Sequence, residues 1–257
     1  LTKVTKIQAQ KRKGRYNVYL DGSYVFPVGE STLIEFRLMK GQELTDAQVE
    51  LIKNKENTNK AYGDAVNYLS YELRTEKEMK DYLYKKEYTT PTIMDVMDRL
   101  KQLNYLDDEA YAQSFINTQL RMSANGPKTI EQKMFKKGVP QAIIADKISQ
   151  IDQDVLLENA TEFAQKQARK TSHASFRQQM TKLRQSLYAK GFTGDVVDQA
   201  IASLDLEKDE DTELENLRKM IDKVSHRYDN TSKLINYLMG KGFSYTAIKH
   251  ALEDDDE

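Results

Sequence analysis

Leu187-Tyr-Ala-Lys-Gly-Phe192 decides the reading of this chain, because the phrase recurs. It is preceded by Leu83-Tyr-Lys-Lys-Glu-Tyr88 and Met134-Phe-Lys-Lys-Gly-Val139 and followed by Leu238-Met-Gly-Lys-Gly-Phe243. The starts lie 51, 53 and 51 residues apart. Recurrence at near-constant spacing marks a repeat array. Physically the phrase is a helix ending. The apolar pair belongs to the last turn, and Lys suits the negative end of the helix dipole. Gly takes the left-handed conformation that closes a helix, and the apolar residue after it packs back on that turn. Glu87 stands in the Gly position of the first copy.

Working outward, each phrase is followed by a helix start: Thr90-Pro91, Val139-Pro140, Thr193 and Ser244. These are N-cap residues or Pro at the first helical position. A longer helix precedes each phrase. In the first unit Asn57-Thr58 opens one, and Thr75 with Glu78 forms a capping box for the next. Asp107 is the N-cap of the second unit, and the third opens near Asp152. The acidic run from Asp205 to Asp211 is either a flexible joint or the acid-rich first turn of the following helix. Asn230-Thr231 caps the middle helix of the fourth unit.

Residues 3 to 28 differ. Tyr16, Val18 and Leu20 alternate, as do Tyr24, Phe26 and Val28, which is strand periodicity. Asp21-Gly22 between them is a hairpin turn. Three strands in a meander are expected, then a short helix over 30–36. Thr45 with Gln48 is a further capping box. The fold class is mainly α: tandem three-helix repeats forming an elongated curved array, with a small N-terminal antiparallel β meander. The expected divisions are 1–55 for the N-terminal part, 56–105, 106–151, 152–205 and 206–253 for four repeats, and 254–257 for a disordered acidic tail.

Composition agrees with an array. Hydrophobic residues make up 39% of the 257 and charged residues 31%. That is lean for a single large core, and each repeat buries a face only against its neighbours. The formal net charge of -1 leaves no whole-chain field toward nucleic acid or membrane. The absence of Cys removes thiolate metal sites and disulfides and suits a reducing compartment. No apolar run approaches the ~20 residues needed to span a bilayer, and a cytoplasmic protein is expected.

Chemistry is sparse. His173, His226 and His250 lie far apart in sequence. Asp107-Asp108-Glu109 reads as a helix start, because neighbouring helical residues point in different directions. No phosphate-cradling Gly loop and no Ser or Cys nucleophile motif occurs. No catalytic residue, metal site or cofactor is expected. What remains is surface. Lys11, Arg12, Lys13 and Arg15 form the densest positive cluster, at a turn between strands. It is either a phosphate-contacting tip or a solvated turn that protects the sheet's edges. Arg121, Lys128, Lys133, Lys136 and Lys137 gather around the second unit, and Arg74, Lys85 and Lys86 around the first. They line a positive face or form a salt-bridged helical surface.

Three stretches together resemble the bacterial RecX family: Tyr68-Leu-Ser-Tyr-Glu-Leu-Arg-Thr-Glu-Lys-Glu-Met79, Leu106-Asp-Asp-Glu-Ala-Tyr-Ala112, and Gly126-Pro-Lys-Thr-Ile130 with Lys137-Gly138. Tyr16-Asn-Val-Tyr-Leu-Asp-Gly22 is similar to the N-terminal extension of longer members. Glu72 and Thr75 depart from the pattern, standing where a basic residue and Ser are expected. The resemblance implies a modulator of the RecA recombinase. It would bind the RecA–DNA filament and inhibit ATP hydrolysis, strand exchange and co-protease activity in DNA repair and the SOS response, without catalytic residues. The expected partners are the RecA filament and single- or double-stranded DNA, with the protein itself a monomer. The competing reading is a helical-repeat protein that acts mainly on DNA through its basic turn.

Overall fold

A computed structural model describes residues 1–254. They divide into two compact units. The first is Leu1–Ala112 with Lys136–Ile143. The second is Gln113–Phe135 with the described residues from Ile144 onward.

The N-terminal part builds a sheet of strands β1 (Thr2–Ala9), β2 (Arg15–Leu20), β3 (Ser23–Gly29) and β4 (Glu43–Leu44), ordered β3-β2-β1-β4 with antiparallel pairing throughout. Val4, Val18, Leu20, Phe26 and Val28 are buried on one face with Leu38, Leu44, Val49 and Ile52. Asp21 and Gly22 take φ of 48° and 87°. Both central turn residues are thus left-handed, the twist that a tight hairpin needs. Three strands were expected and four are found. β4 is two residues long, too short to show an alternating pattern.

Helix α1 (Glu30–Glu35) follows β3, and α2 runs from Asp46 to Leu69. Thr45 and Gln48 cap α2 reciprocally. No new helix opens at Asn57-Thr58, contrary to the sequence expectation. The reason is Glu56, which is buried mid-helix. Its carboxylate accepts from Gly29 N at 2.8 Å and Thr32 Oγ1 at 2.6 Å and pairs with Arg15. These partners come from 24 to 41 residues away. They hold the helix through a stretch whose local sequence resembles a cap.

The remaining helices come in threes. Helices α3 (Glu76–Lys85) and α4 (Thr90–Gln102) pack on α2 around Ala61, Ala65, Met79, Leu83, Ile93, Val96 and Leu100. Next are α5 (Asp108–Met122), α6 (Pro127–Lys137) and α7 (Gln141–Ser149). Then come α8 (Gln153–Thr171), α9 (Phe176–Ala189) and α10 (Gly194–Ala202), closed around Ala160, Ala164, Leu183, Leu187, Phe192 and Val197. Last are α11 (Glu210–Val224), α12 (Thr231–Gly240) and α13 (Tyr245–Asp254), around Leu217, Ile221, Leu238, Phe243 and Ile248. Only the end of the acidic run follows the second of its two readings, since 205–209 precede α11. Asp209 accepts from Thr212 N, and Glu210, Asp211 and Glu213 occupy the first turn. The Thr212 bonds also hold the Asp209 carboxyl below its usual range. Asp254, assigned to the acidic tail, is the last residue of α13, and the rest of the expected tail, 255–257, lies outside the described residues.

The repeated phrase closes its helices as expected, and the structure adds what those endings are for. Gly138, Gly191 and Gly242 have φ of 85°, 90° and 93°. The apolar residues after them, Val139, Phe192 and Phe243, are all at most 3% exposed. Each Lys-Gly end also sits on the start of a middle helix roughly 60 residues earlier in sequence. In the first unit Thr75 Oγ1 donates to Lys137 O at 2.7 Å. In the second unit Ser175 Oγ donates to Lys241 O at 2.6 Å. There too Gly126 N donates to Lys190 O at 2.8 Å and Lys128 N to Gly191 O at 3.1 Å. Carbonyls left over at one helix end therefore satisfy donors left over at another, and the negative end of one dipole meets the positive end of the next.

A carboxylate from a first helix completes two of these joints. Asp108 accepts from Glu76 N at 2.9 Å, and Glu213 from Phe176 N at 2.8 Å. Both acids are buried, 6% and 7% exposed. Burial pushes the Asp108 carboxyl up, against the downward pull of its bond from Glu76. Asp107 is the N-cap of α5, accepting from Glu109 N and Ala110 N. The acidic triplet is thus a helix start with one side chain reaching back to cap α3.

The joints explain why Gly recurs and why the first copy departs. A Cβ on Gly191 would lie 2.5 Å from Thr129 N, and one on Gly242 would lie 2.5 Å from Ser175 Oγ. Glu87 also has positive φ, 63°, but its residue is exposed and follows a helix with no earlier middle helix to sit on. Only the conformational requirement applies there, so a side chain is tolerated.

Candidate functional site

The basic turn sits beside one stripe of α2. Glu56, Lys60, Gly63 and Asn67 recur at helical spacing and share a face. Gln10, Arg12, Lys13 and Arg15 from the β1–β2 turn meet Lys60, Gly63, Asp64 and Asn67 across a polar cleft of about 620 Å³. Arg15 is the anchored member, half-buried and paired with Glu56. Arg12, Lys13 and Lys60 are exposed and have no ion-pair partner among the described residues. Lys11 is exposed and does not line the cleft.

A second feature borders it. Asp64 accepts from the Tyr88 hydroxyl at 2.9 Å and lies 3.7 Å from Lys86 Nζ. Burial, then the Asp64 bond, pushes the Tyr88 phenol well above its ordinary value. Lys86 lies over the Tyr82 ring at 5.6 Å, Tyr82 stacks on Tyr68 at 4.0 Å, and Arg74 covers the far face of the pair at 4.2 Å from Tyr68. Arg74 also pairs with Glu72 at 2.6 Å. The acid at position 72 therefore neutralises its neighbour. Arg74 is committed to its own unit.

The other expected contact residues are dispersed. Lys137 pairs with Glu78 at 2.6 Å, which pushes its ammonium above the usual lysine range. Lys133 donates to Gln119 Oε1 at 2.9 Å. Lys128 and Lys136 are exposed. Arg121 lines a separate cleft of about 430 Å³ in the second unit, with Lys147, Asp152 and an apolar floor of Ile116, Leu120 and Ile151. Of the cations singled out in the sequence, the structure gathers Arg12, Lys13 and Arg15 into one cleft, with Lys86 beside it. It adds Lys60, which sequence reasoning missed; its signal was the four-residue step from Glu56, visible once α2 is taken as continuous.

Among the described residues, no group of three or more His, Cys, Asp or Glu side chains could hold a metal ion. No described helix is long and apolar enough to cross a membrane. The cleft offers cationic and amide donors around one carboxylate, a lining whose chemistry suits an anion.

Comparisons with known proteins give a consistent result. Residues 2–45 match the model of the regulatory protein RecX N-terminal domain. Residues 61–100, 107–148 and 154–201 match the RecX first, second and third three-helix domains. A regulatory protein RecX from Levilactobacillus brevis is 39% identical, covering 98% of this chain and 97% of that protein. One from Listeria monocytogenes is 35% identical over 99% and 97%. A crystal structure of regulatory protein RecX superimposes with a TM-score of 0.68 at 38% identity, covering 79% of this chain and all of that one. The RecX structure from Lactobacillus salivarius gives 0.57 at 35%, covering 60% of this chain and 99% of that one.

Proposed function

The chain belongs to the RecX family of regulatory proteins, and from that premise we propose that it binds the RecA–DNA filament and restrains it. The single observation that carries this reading is end-to-end similarity to regulatory RecX proteins, 97% or more of both partners. The expected consequence is less ATP hydrolysis, less strand exchange and less co-protease activity, in DNA repair and the SOS response. The protein does this in the cytoplasm, as a monomer, by binding and without bond chemistry of its own.

Repetition supports the reading. A filament repeats one subunit along its length, and a chain of like three-helix units (56–105, whose first helix α2 begins in the N-terminal part, then 106–151, 152–205 and 206–253) offers several weak contacts on one scaffold. Once one contact forms, the next is intramolecular, so avidity exceeds any single affinity. Fixed spacing between contacts requires fixed joints between units, and part-buried hydroxyl–carbonyl bonds such as Ser175 to Lys241 are suited to hold it.

Co-pelleting tests the proposal. Filaments formed on long single-stranded DNA with a non-hydrolysable ATP analogue are spun down with this protein. It should pellet with filaments and remain in the supernatant with the recombinase alone at equal concentration. Equal recovery with and without filament would remove the reading.

A further inference from the structure

Gly63 has no explanation within the fold. It lies in the middle of α2, where Gly is the least favourable residue short of Pro. Its φ is not in the left-handed region, and a Cβ there would meet nothing within 4 Å. Neither conformation nor packing calls for it. What its missing side chain leaves open is the floor of the cleft, where the helix backbone is exposed between Lys60 and Asn67. Gly of this kind marks close approach of another backbone.

The walls above that floor describe the visitor. Arg12, Lys13 and Lys60 present three free cations, and Asn67 adds a side-chain amide; the Gln10 amide in the same wall donates to Asn17 Oδ1 at 2.7 Å. Arg15 is held by a carboxylate that is itself fixed by Gly29 N and Thr32, so the turn carrying the free cations is anchored at its base. An anion of spaced single charges, able to come close to a helix surface, fits this lining. At the rim stands the exposed Lys86 over Tyr82. Lys86 is held there by one long pair to Asp64, and its displacement frees the outer face of a ring already stacked on Tyr68. Cations along a groove with an aromatic face at its edge are what a single nucleic-acid strand needs, the first for phosphates and the second for a base.

We propose that the cleft between the Lys11–Arg15 turn and the 60–67 face of α2 binds single-stranded nucleic acid, with phosphates on Arg12, Lys13 and Lys60, the chain crossing Gly63, and a base on Tyr82. This goes beyond the filament reading and does not depend on it, since the isolated protein binds the strand. A duplex is the poorer ligand because its bases are not available to the ring.

The test uses the full chain, a fluorescein-labelled oligothymidylate and a duplex of the same length, followed by anisotropy against salt. Three phosphate contacts on a single strand give a log–log slope of about -2. The triple variant R12E/K13E/K60E loses at least tenfold in affinity at low salt, whereas Arg121→Glu binds as the parent does. Gly63→Leu keeps or raises the melting temperature yet binds several-fold more weakly, which separates access from folding. Tyr82→Leu keeps apolar bulk but loses about fivefold or more through stacking. A salt slope near zero, or a triple variant that binds like the parent, overturns the site. Parental binding by Gly63→Leu overturns the close approach at residue 63. Duplex bound as tightly as single strand overturns the choice of ligand. Any of these results leaves filament co-pelleting to stand or fall separately.

Discussion

Gly191→Ala is the sharpest probe of the joints. A side chain at φ 90° costs about 1 kcal/mol wherever it occurs. At Gly191 its Cβ would also lie 2.5 Å from both Thr129 N and Thr129 Oγ1. Overpacking of that kind costs about 1–3 kcal/mol. The alternative is for α9 to withdraw, which would break Gly126 N to Lys190 O and Lys128 N to Gly191 O, about 1 kcal/mol each. These are two ways out of one clash and do not add, so the expected total is about 2–4 kcal/mol. Gly22→Ala is the control, with φ 87° and nothing within 4 Å of its Cβ. It should cost only the conformational term, about 1 kcal/mol. Urea unfolding followed by circular dichroism measures both. Hydrogen exchange over residues 126–130 adds a local readout, since the amides of Gly126 and Lys128 lose their acceptors only if the joint opens. If Gly191→Ala costs no more than Gly22→Ala and leaves those amides protected, the joint does not hold α9 to α6.

Four further outcomes are expected. Thr75→Ala removes both the α3 cap and the bond to Lys137 O, and should cost about 1–2 kcal/mol in denaturant unfolding, while Thr75→Ser should recover most of it. Glu87→Gly relieves a left-handed side chain at an exposed helix end and should be neutral to about 1 kcal/mol stabilising, opposite in sign to any change at Gly191; a clear loss would contradict the account of the first copy. Gly63→Ala should stabilise by about 0.5–1 kcal/mol, read as a higher melting temperature. The Tyr88 phenol is raised in the fold, so its contribution is complete below its unfolded value near pH 10 and falls as pH rises beyond that; stability should decline above about pH 10, and Tyr88→Phe should flatten that decline.

Much of the fold was legible because its signals are local. Capping boxes at Thr45 and Thr75, the Asp21-Gly22 turn and the Lys-Gly endings each need only four to six neighbouring residues, and each is present. What could not be read depends on partners distant in sequence. Asn57-Thr58 resembles a helix start, and only the bonds of Glu56 to Gly29 and Thr32 show why α2 continues. The Lys-Gly ends were recognisable as helix stops, but their seats on Thr75, Gly126 and Ser175 lie 62 to 66 residues away or are made by backbone atoms that carry no sequence signal. The candidate site fared less well for the same reason. A count of cations does not distinguish Arg12, which is free, from Arg15, which is spent on Glu56, or from Arg74, which is laid on Tyr68.

Hydrolysis of ATP by RecA on single-stranded DNA, titrated with this protein, tests the regulatory reading most directly. The account predicts a fall that deepens with added protein and then saturates. A rate unchanged at equimolar protein, under conditions where the recombinase is filamentous, would contradict it.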